Sequence, residues 1–139
     1  PTLADVRAAV LELRAKKSML AKSDDPNARS AGSFFTNPTL SEADWQTLKK
    51  RWQDSNGQGA IPIFSSNGEI KISAAWLVEH AGWAKGYTEN GVGISESHAL
   101  ALVNKSGTAK DLLALAAKIE KSVYGKFGIK LEREPIVVE

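Results

Sequence analysis

The chain has 139 residues, 42% of them hydrophobic and 24% charged, a balance that gives one globular domain with a single core and excludes a disordered or fibrous chain. Lys and Arg outnumber Asp and Glu by 18 to 16, and so small a surplus gives no argument for nucleic acid. There is no cysteine, which excludes disulfides, thiolate catalysis and cysteine-ligated zinc; no apolar run approaches a membrane span, and no secretory signal is visible. Pro1 stands where a gene product would begin with Met, which predicts one piece of a longer protein.

Thr2 is placed to cap a helix whose apolar residues Leu3, Val6, Val10 and Leu13 recur at helical spacing and which fades near Lys17. Residues 22–30 are polar and turn-rich, and read as loop. Residues 31–38 read Ala-Gly-Ser-Phe-Phe-Thr-Asn-Pro. Gly32 permits a turn or a close backbone approach, and Pro38 drives Asn37 into an extended conformation. The segment predicts a rigid loop anchored by Phe34 and Phe35 that presents the Ser33 hydroxyl and the Asn37 amide; by itself it fits a binding loop or a plain structural turn.

Ser41 opens a second helix that runs to about Gln53, with Asp44 in the place of a capping-box acid. Ile61–Phe64 and Glu69–Ile72 read as two extended segments about a Ser66-Asn67-Gly68 turn. Ser73 caps a short helix over Ala74–His80, with Gly82 just past its end and Trp76 on its apolar face. Residues 86–93 are glycine-rich and predict irregular structure, and Ala99–Val103 an apolar strand. Thr108 starts the longest helix, with Leu112, Leu115, Ala116, Ile119 and Val123 on one face. Phe127 to about Val138 predicts a last strand. Helices and short strands alternate without a βαβ rhythm, so the expected class is α+β, one domain with a small mixed or antiparallel sheet packed by helices.

Several blocks occur in a fixed order: Leu13-Arg14 with Lys17; Gly32-Ser33-Phe34-Phe35-Thr36-Asn37-Pro38; Lys71-Ile72-Ser73-Ala74-Ala75-Trp76-Leu77-Val78-Glu79; Gly82 through Lys85-Gly86; His98-Ala99-Leu100; and the closing Leu131-Glu132-Arg133-Glu134-Pro135. Together they resemble the C-terminal, substrate-binding domain of the UDP-N-acetylenolpyruvoylglucosamine reductase family (UDP-N-acetylmuramate dehydrogenase, MurB), over nearly all of residues 1–139. The resemblance implies an oxidoreductase of peptidoglycan precursor synthesis in the cytoplasm. Its substrate would be UDP-N-acetylglucosamine enolpyruvate, NADPH the reductant and FAD the cofactor. FAD would be bound by further domains of which this chain has no trace, since no glycine-rich cofactor loop precedes a helix. The chain alone is then expected to be inactive. Its partners would be the substrate and the enzyme's own FAD-binding domains, with no nucleic acid and no membrane.

The implied chemistry adds hydride to a vinyl ether and leaves an enolate that must be stabilised and protonated. By resemblance Ser33 is the proton donor to the carbanionic carbon. Glu134 assists it, although the Pro135 that follows departs from the valine of many members. Lys17, Asn37 and Lys85 match positions that meet the diphosphate, where lysine serves as a mobile point charge and asparagine as a double N–H donor. His98 matches a substrate-facing position where glutamine also occurs. Phe64 is the expected lid residue, ahead of Trp45 and Trp52. The bland alternatives are a turn-capping Ser33, a solvated charged edge at Glu134, an Asx turn at Asn37, ordinary surface lysines, a structural His98 and a core Phe64. Two histidines and no cysteine give no expectation of a metal site. The alternative functions are a non-enzymatic nucleotide-sugar binding module and a docking domain for a flavoprotein partner.

Overall fold

A computed structural model of the chain describes residues 1–21, 24–66 and 68–138; Asn67 of the expected hairpin turn, and Lys22 and Ser23 of the expected 22–30 loop, lie outside the described residues. Among the described residues there are four helices, α1 (Leu3–Lys16), α2 (Glu42–Asp54), α3 (Ala74–His80) and α4 (Ala109–Phe127). The strands are β1 (Ser30–Ser33), β2 (Thr39–Leu40), β3 (Ile63–Ser66), β4 (Glu69–Ile72), β5 (Thr88–Glu89), β6 (Val92–Ile94) and β7 (Ala101–Asn104). They form two antiparallel sheets, ordered β1-β7-β6-β5 and β2-β4-β3. This is an α+β fold, as the element pattern implied. No helix of the described residues is long and apolar enough to cross a membrane.

The core forms where α4 lies across the larger sheet. Leu115, Ile119, Val123 and Phe127 recur every four residues, so they make one stripe, and all four are buried. Against them stand Val92 and Ile94 of β6, Leu102 of β7, and the two loop phenylalanines Phe34 and Phe35. The helix begins where Thr108 and Asp111 cap each other's backbone N–H groups and ends at Gly128, whose φ of 73° is left-handed. Helix α3 docks by Trp76, Leu77 and Val78, and Trp52 of α2 meets Trp76 edge-on at 4.9 Å.

Three sequence expectations are corrected. Residues 86–93 are not irregular: they contain the β5–β6 hairpin, with Thr88 opposite Gly93. The glycines there serve close packing, since a Cβ on Gly91 would stand 2.5 Å from the Gly107 nitrogen. The last segment is not a strand. Phe127 still belongs to α4, and residues 129–138 form no strand, their β-pairing being the single Phe35–Arg133 bridge among the described residues. Residues 30–33, expected as loop, are strand β1, and the expected 99–103 strand begins at Ala101. At α2, Ser41 accepts the Asp44 N–H at 3.1 Å but donates its own hydroxyl to the Asp44 carboxylate at 2.7 Å, so the acid does not return a bond to the cap backbone.

Helix α1 is where expected and carries its capping box, yet it has no buried residue. Its apolar stripe Leu3, Val6, Val10 and Leu13 is 90%, 51%, 46% and 60% exposed.

Because Ile119 is fully enclosed at the centre of the α4 stripe, Ile119→Ala should lower the unfolding free energy of the chain by about 2–5 kcal/mol. Urea denaturation followed by circular dichroism measures this; a loss under about 0.5 kcal/mol would mean that α4 does not pack as described.

Candidate functional site

Ser33 closes β1, opposite Ala101 of β7. Between Ser30 and Ser33 the register slips, because three steps on β1 match two on β7 (Ser30 faces Val103). Gly32 sits inside that bulge at φ +83°, a conformation that a side chain would strain. A bulge re-aims the residue next to it, so Ser33 leaves the sheet half-buried while Phe34 and Phe35 turn into the core in edge-to-face contact at 5.3 Å. Phe34 N–H then bonds to Leu100 O at 2.8 Å.

The same phenylalanine pair brings in the C-terminal acid. Glu134 N–H donates to Phe34 O and Thr36 N–H to Glu132 O, both at 3.0 Å, on either side of the Phe35–Arg133 bridge. Arg133 is pinned by a two-point pair to Glu120 of α4, Nε to Oε1 at 2.6 Å and Nη2 to Oε2 at 3.0 Å. Alternation along the extended segment puts the exposed Glu132 and Glu134 on the face opposite Arg133. Ser33 and Glu134, far apart in sequence, are thereby one residue and one backbone hydrogen bond from each other. Neither is sealed in the interior.

A cationic corner adjoins Ser33 through β7. His98 O accepts the N–H of Ala101, Ser33's partner, and His98 Nδ1 accepts the N–H of Leu100 at 3.0 Å. A backbone N–H only donates, so Nδ1 carries no proton and the neutral ring holds its hydrogen on Nε2. Burial lowers the His98 pKa from 6.5, and the positive charges of Lys17 and Lys85 lower it further, so both lysines lie within electrostatic reach of the ring. Lys17 ends α1, where Ser18, at φ 54°, brings its Oγ to 3.3 Å from Ser97 Oγ and ties the helix end to the His98 loop. Lys85 is exposed and pairs only loosely with Glu79, at 3.8 Å, which leaves its charge largely available to a ligand.

The remaining predicted residues sit at some remove. Asn37 is a helix cap: its Oδ1 accepts the Ala74 N–H at 2.8 Å, beside the Ser73 cap of α3. Among the described residues its two amide N–H donors have no partner, and it lines a cleft of about 430 Å³ with Thr36, Thr39, Asp44, Lys130 and Glu132. Phe64 is not core; it lies on the outer face of the small sheet, 53% exposed and opposite Lys71. Trp45 and Trp52, the other aromatic candidates, are packed against the core. A second cavity of about 440 Å³, lined by Arg14, Ser18, Met19, Ser30 and Gly32, opens beside β1 just before Ser33.

The parts that aim these residues carry no local sequence signal. Glu120 holds Arg133 from a different element, and Leu100 serves only through its backbone. The flanking of Arg133 by two glutamates was the one available hint that it points elsewhere. At the four described helix starts Thr2, Ser41, Ser73 and Thr108 each accept a bond from their own first turn. The FAD that the resemblance implies would be held by further domains of the enzyme rather than by these helix starts.

Residues 24–138 match the model of the family described as UDP-N-acetylenolpyruvoylglucosamine reductase, C-terminal domain. The chain is also similar to proteins named UDP-N-acetylenolpyruvoylglucosamine reductase. Identity is 48% over 139 residues with that of Thermobifida fusca and 44% over 140 residues with that of Salinispora arenicola, each alignment taking in 98% of this chain. With the protein of Mycolicibacterium gilvum it is 42% over 136 residues and 96% of the chain. The chain spans only 38–39% of the length of these relatives. Fold and relatives together define a domain of a reductase. Specifically, the chain belongs to the UDP-N-acetylenolpyruvoylglucosamine reductase C-terminal domain family.

The lowered His98 pKa means that the folded state favours the neutral ring. Any stability tied to that ring is fully present above pH 6.5, the unfolded value, and is lost as the pH falls through the lower folded value. In an NMR titration the His98 ring should show its midpoint below 6.5, and Lys17→Met or Lys85→Met should move it upward. A midpoint at or above 6.5 would show that the two lysines and the burial do not act on the ring as described.

Proposed function

We propose that this chain is the substrate-binding and proton-donating part of an FAD- and NADPH-dependent reductase that converts UDP-N-acetylglucosamine enolpyruvate to UDP-N-acetylmuramate for peptidoglycan synthesis in the cytoplasm. Hydride delivery belongs to the portion of the relatives outside this chain. The chain's own work is to bind the UDP-sugar, hold its carboxylated end and supply a proton.

The observation that carries this reading is the junction of Ser33 with Glu134 through Phe34, beside the cationic corner of Lys17, Lys85 and His98. An anionic substrate is drawn to that corner. Lys17 and Lys85 meet the diphosphate as mobile charges, and the His98 Nε2–H serves as a neutral donor, a part that glutamine would also fill. Ser33 then gives its hydroxyl proton to the carbon left electron-rich by reduction. A serine hydroxyl is a poor acid in water, so the transfer requires a hydroxyl held in place and cations nearby to offset the alkoxide. The bulge at Gly32 and the buried phenylalanines supply the first condition, and the corner supplies the second. Glu134 assists from the facing segment, either by stabilising the enol or by returning a proton to Ser33. Phe64, exposed on the β3–β4 hairpin, is the residue available to close over bound substrate.

In the full-length enzyme, Ser33→Ala should slow flavin reoxidation by the enolpyruvyl substrate by about 10²–10⁴-fold. Flavin reduction by NADPH should keep its rate, which controls for folding and cofactor content. Stopped-flow absorbance reads both half-reactions; reoxidation at the wild-type rate with normal product would remove Ser33 as the acid.

Asn37 separates into two roles. Asn37→Asp keeps the oxygen that caps α3, so the melting temperature should hold, while loss of the N–H donors should weaken UDP-sugar binding about tenfold. Asn37→Ala should lower both. Calorimetric binding to the full-length enzyme tests this; unchanged affinity in Asn37→Asp would leave Asn37 as a cap alone.

A further inference from the structure

Among the described residues two polar side chains are buried, Asn27 and Ser95, 8% and 0% exposed. Neither takes part in the proposed binding or proton transfer, yet both hold the same short connection. Strand β6 ends at Ile94 and β7 begins at Ala101, and the link between them carries His98. A link outside any ladder must find partners for its own N–H groups. The Ser95 N–H donates to Ala101 O at 2.9 Å, the Ser97 N–H to Ser95 Oγ at 3.1 Å and the Leu100 N–H to His98 Nδ1 at 3.0 Å. Those acceptors are all local. The Glu96 N–H differs: it donates to Asn27 Oδ1 at 3.2 Å, across 69 positions of sequence. A backbone N–H only donates, so the amide oxygen of Asn27 is the atom that meets it. Asn27 is itself fixed, its own N–H donating to Asp25 Oδ1 at 2.8 Å.

The link lies between the two lysines of the cationic corner. On one side Ser97 Oγ stands 3.3 Å from the Oγ of Ser18, the residue after Lys17. On the other, Gly86, the residue after Lys85, donates its N–H to Ile94 O at 3.1 Å, and a Cβ on Gly86 would stand 3.4 Å from Glu96 Cγ. The local bonds fix the shape of the link, and the Asn27 bond ties its middle to the segment that leads into β1 and Ser33. An apolar side chain would fill the Asn27 site with no bond to satisfy. A buried amide with its partner in place specifies one arrangement instead. We infer that Asn27 is a positioning residue of the substrate site, holding the 95–100 link so that His98 presents its Nε2–H to an anionic ligand. The inference rests on the reading of His98 as a ligand donor given above, and it assigns Asn27 no contact with the ligand.

A double-mutant cycle in the full-length enzyme tests this. Calorimetry on the oxidised enzyme without NADPH gives the dissociation constant of the enolpyruvyl substrate. Asn27→Ala should weaken binding by about three- to tenfold and raise KM in step. Its kcat, and its rate of flavin reduction by NADPH, should stay within about twofold, which also controls for folding. In a His98→Ala background Asn27→Ala should add less than about twofold, because the group that it aligns is gone. The His98 ring, held neutral by burial and by Lys17 and Lys85, should titrate closer to 6.5 by NMR in Asn27→Ala. Ser95→Ala, which frees the Ser97 N–H from inside the link, is the second variant and should show the same coupling to His98. The inference is overturned if Asn27→Ala binds substrate as tightly as the wild type. It is equally overturned if the variant loses the same factor with and without His98, since Asn27 would then serve the fold alone. A wild-type enzyme that does not bind the enolpyruvyl substrate would sink the reading of the site instead. The ring titration then decides the positioning role by itself, and an unchanged midpoint in both variants overturns it.

Discussion

Two backbone hydrogen bonds flanking one residue pair hold the candidate site together. Phe34 O receives the Glu134 N–H and Glu132 O receives the Thr36 N–H, with Phe35 and Arg133 facing each other between them. Ser33 and Glu134 are positioned from that short ladder. It is stable because both of its sides are anchored elsewhere. Phe34 and Phe35 are buried in the core that α4 covers, and Arg133 is clamped to Glu120 of the same helix. A lone two-bond bridge would open easily; one whose strands are each fixed to α4 opens only if the core does. The rigidity of an irregular segment thus derives from a helix that does not itself touch the site.

The chemistry follows from an imbalance of charge within a nearly neutral chain. The charges of Lys17 and Lys85 both act on His98 although the chain carries only two more basic than acidic residues. Burial and the two ammonium charges together keep the imidazole neutral, and the Leu100 N–H fixes which nitrogen carries the hydrogen. A site built this way offers two mobile cations and one oriented neutral donor.

Much of the architecture was legible because it depends on local signals. Thr2, Ser41, Ser73 and Thr108 cap the helices that they were expected to cap, and the α4 stripe is the buried one. Non-local structure was harder to read. Strand β1 looks like loop because its Gly-Ser composition is poor in strand formers, and only pairing with β7 makes it a strand. The β5–β6 hairpin hid behind glycines that are there for close packing. The apolar spacing of residues 129–138 suggested a strand, but a strand needs a continuous partner and this segment has one bridge. At the site, motif order pointed to Ser33, Glu134, Lys85 and His98, whereas the capping role of Asn37 could not be seen because Ala74 is remote in sequence.

The ladder at Phe35 has a consequence for biosynthesis. Its two sides come from segments near opposite ends of this sequence, so a growing chain that has already folded its helices still lacks Glu134. Domains condense as their chains emerge, yet this ladder cannot form until the residues around Arg133 have cleared the ribosome. A chain interrupted before Glu132 would thus leave Phe34 O and Thr36 N–H without the partners that the ladder gives them.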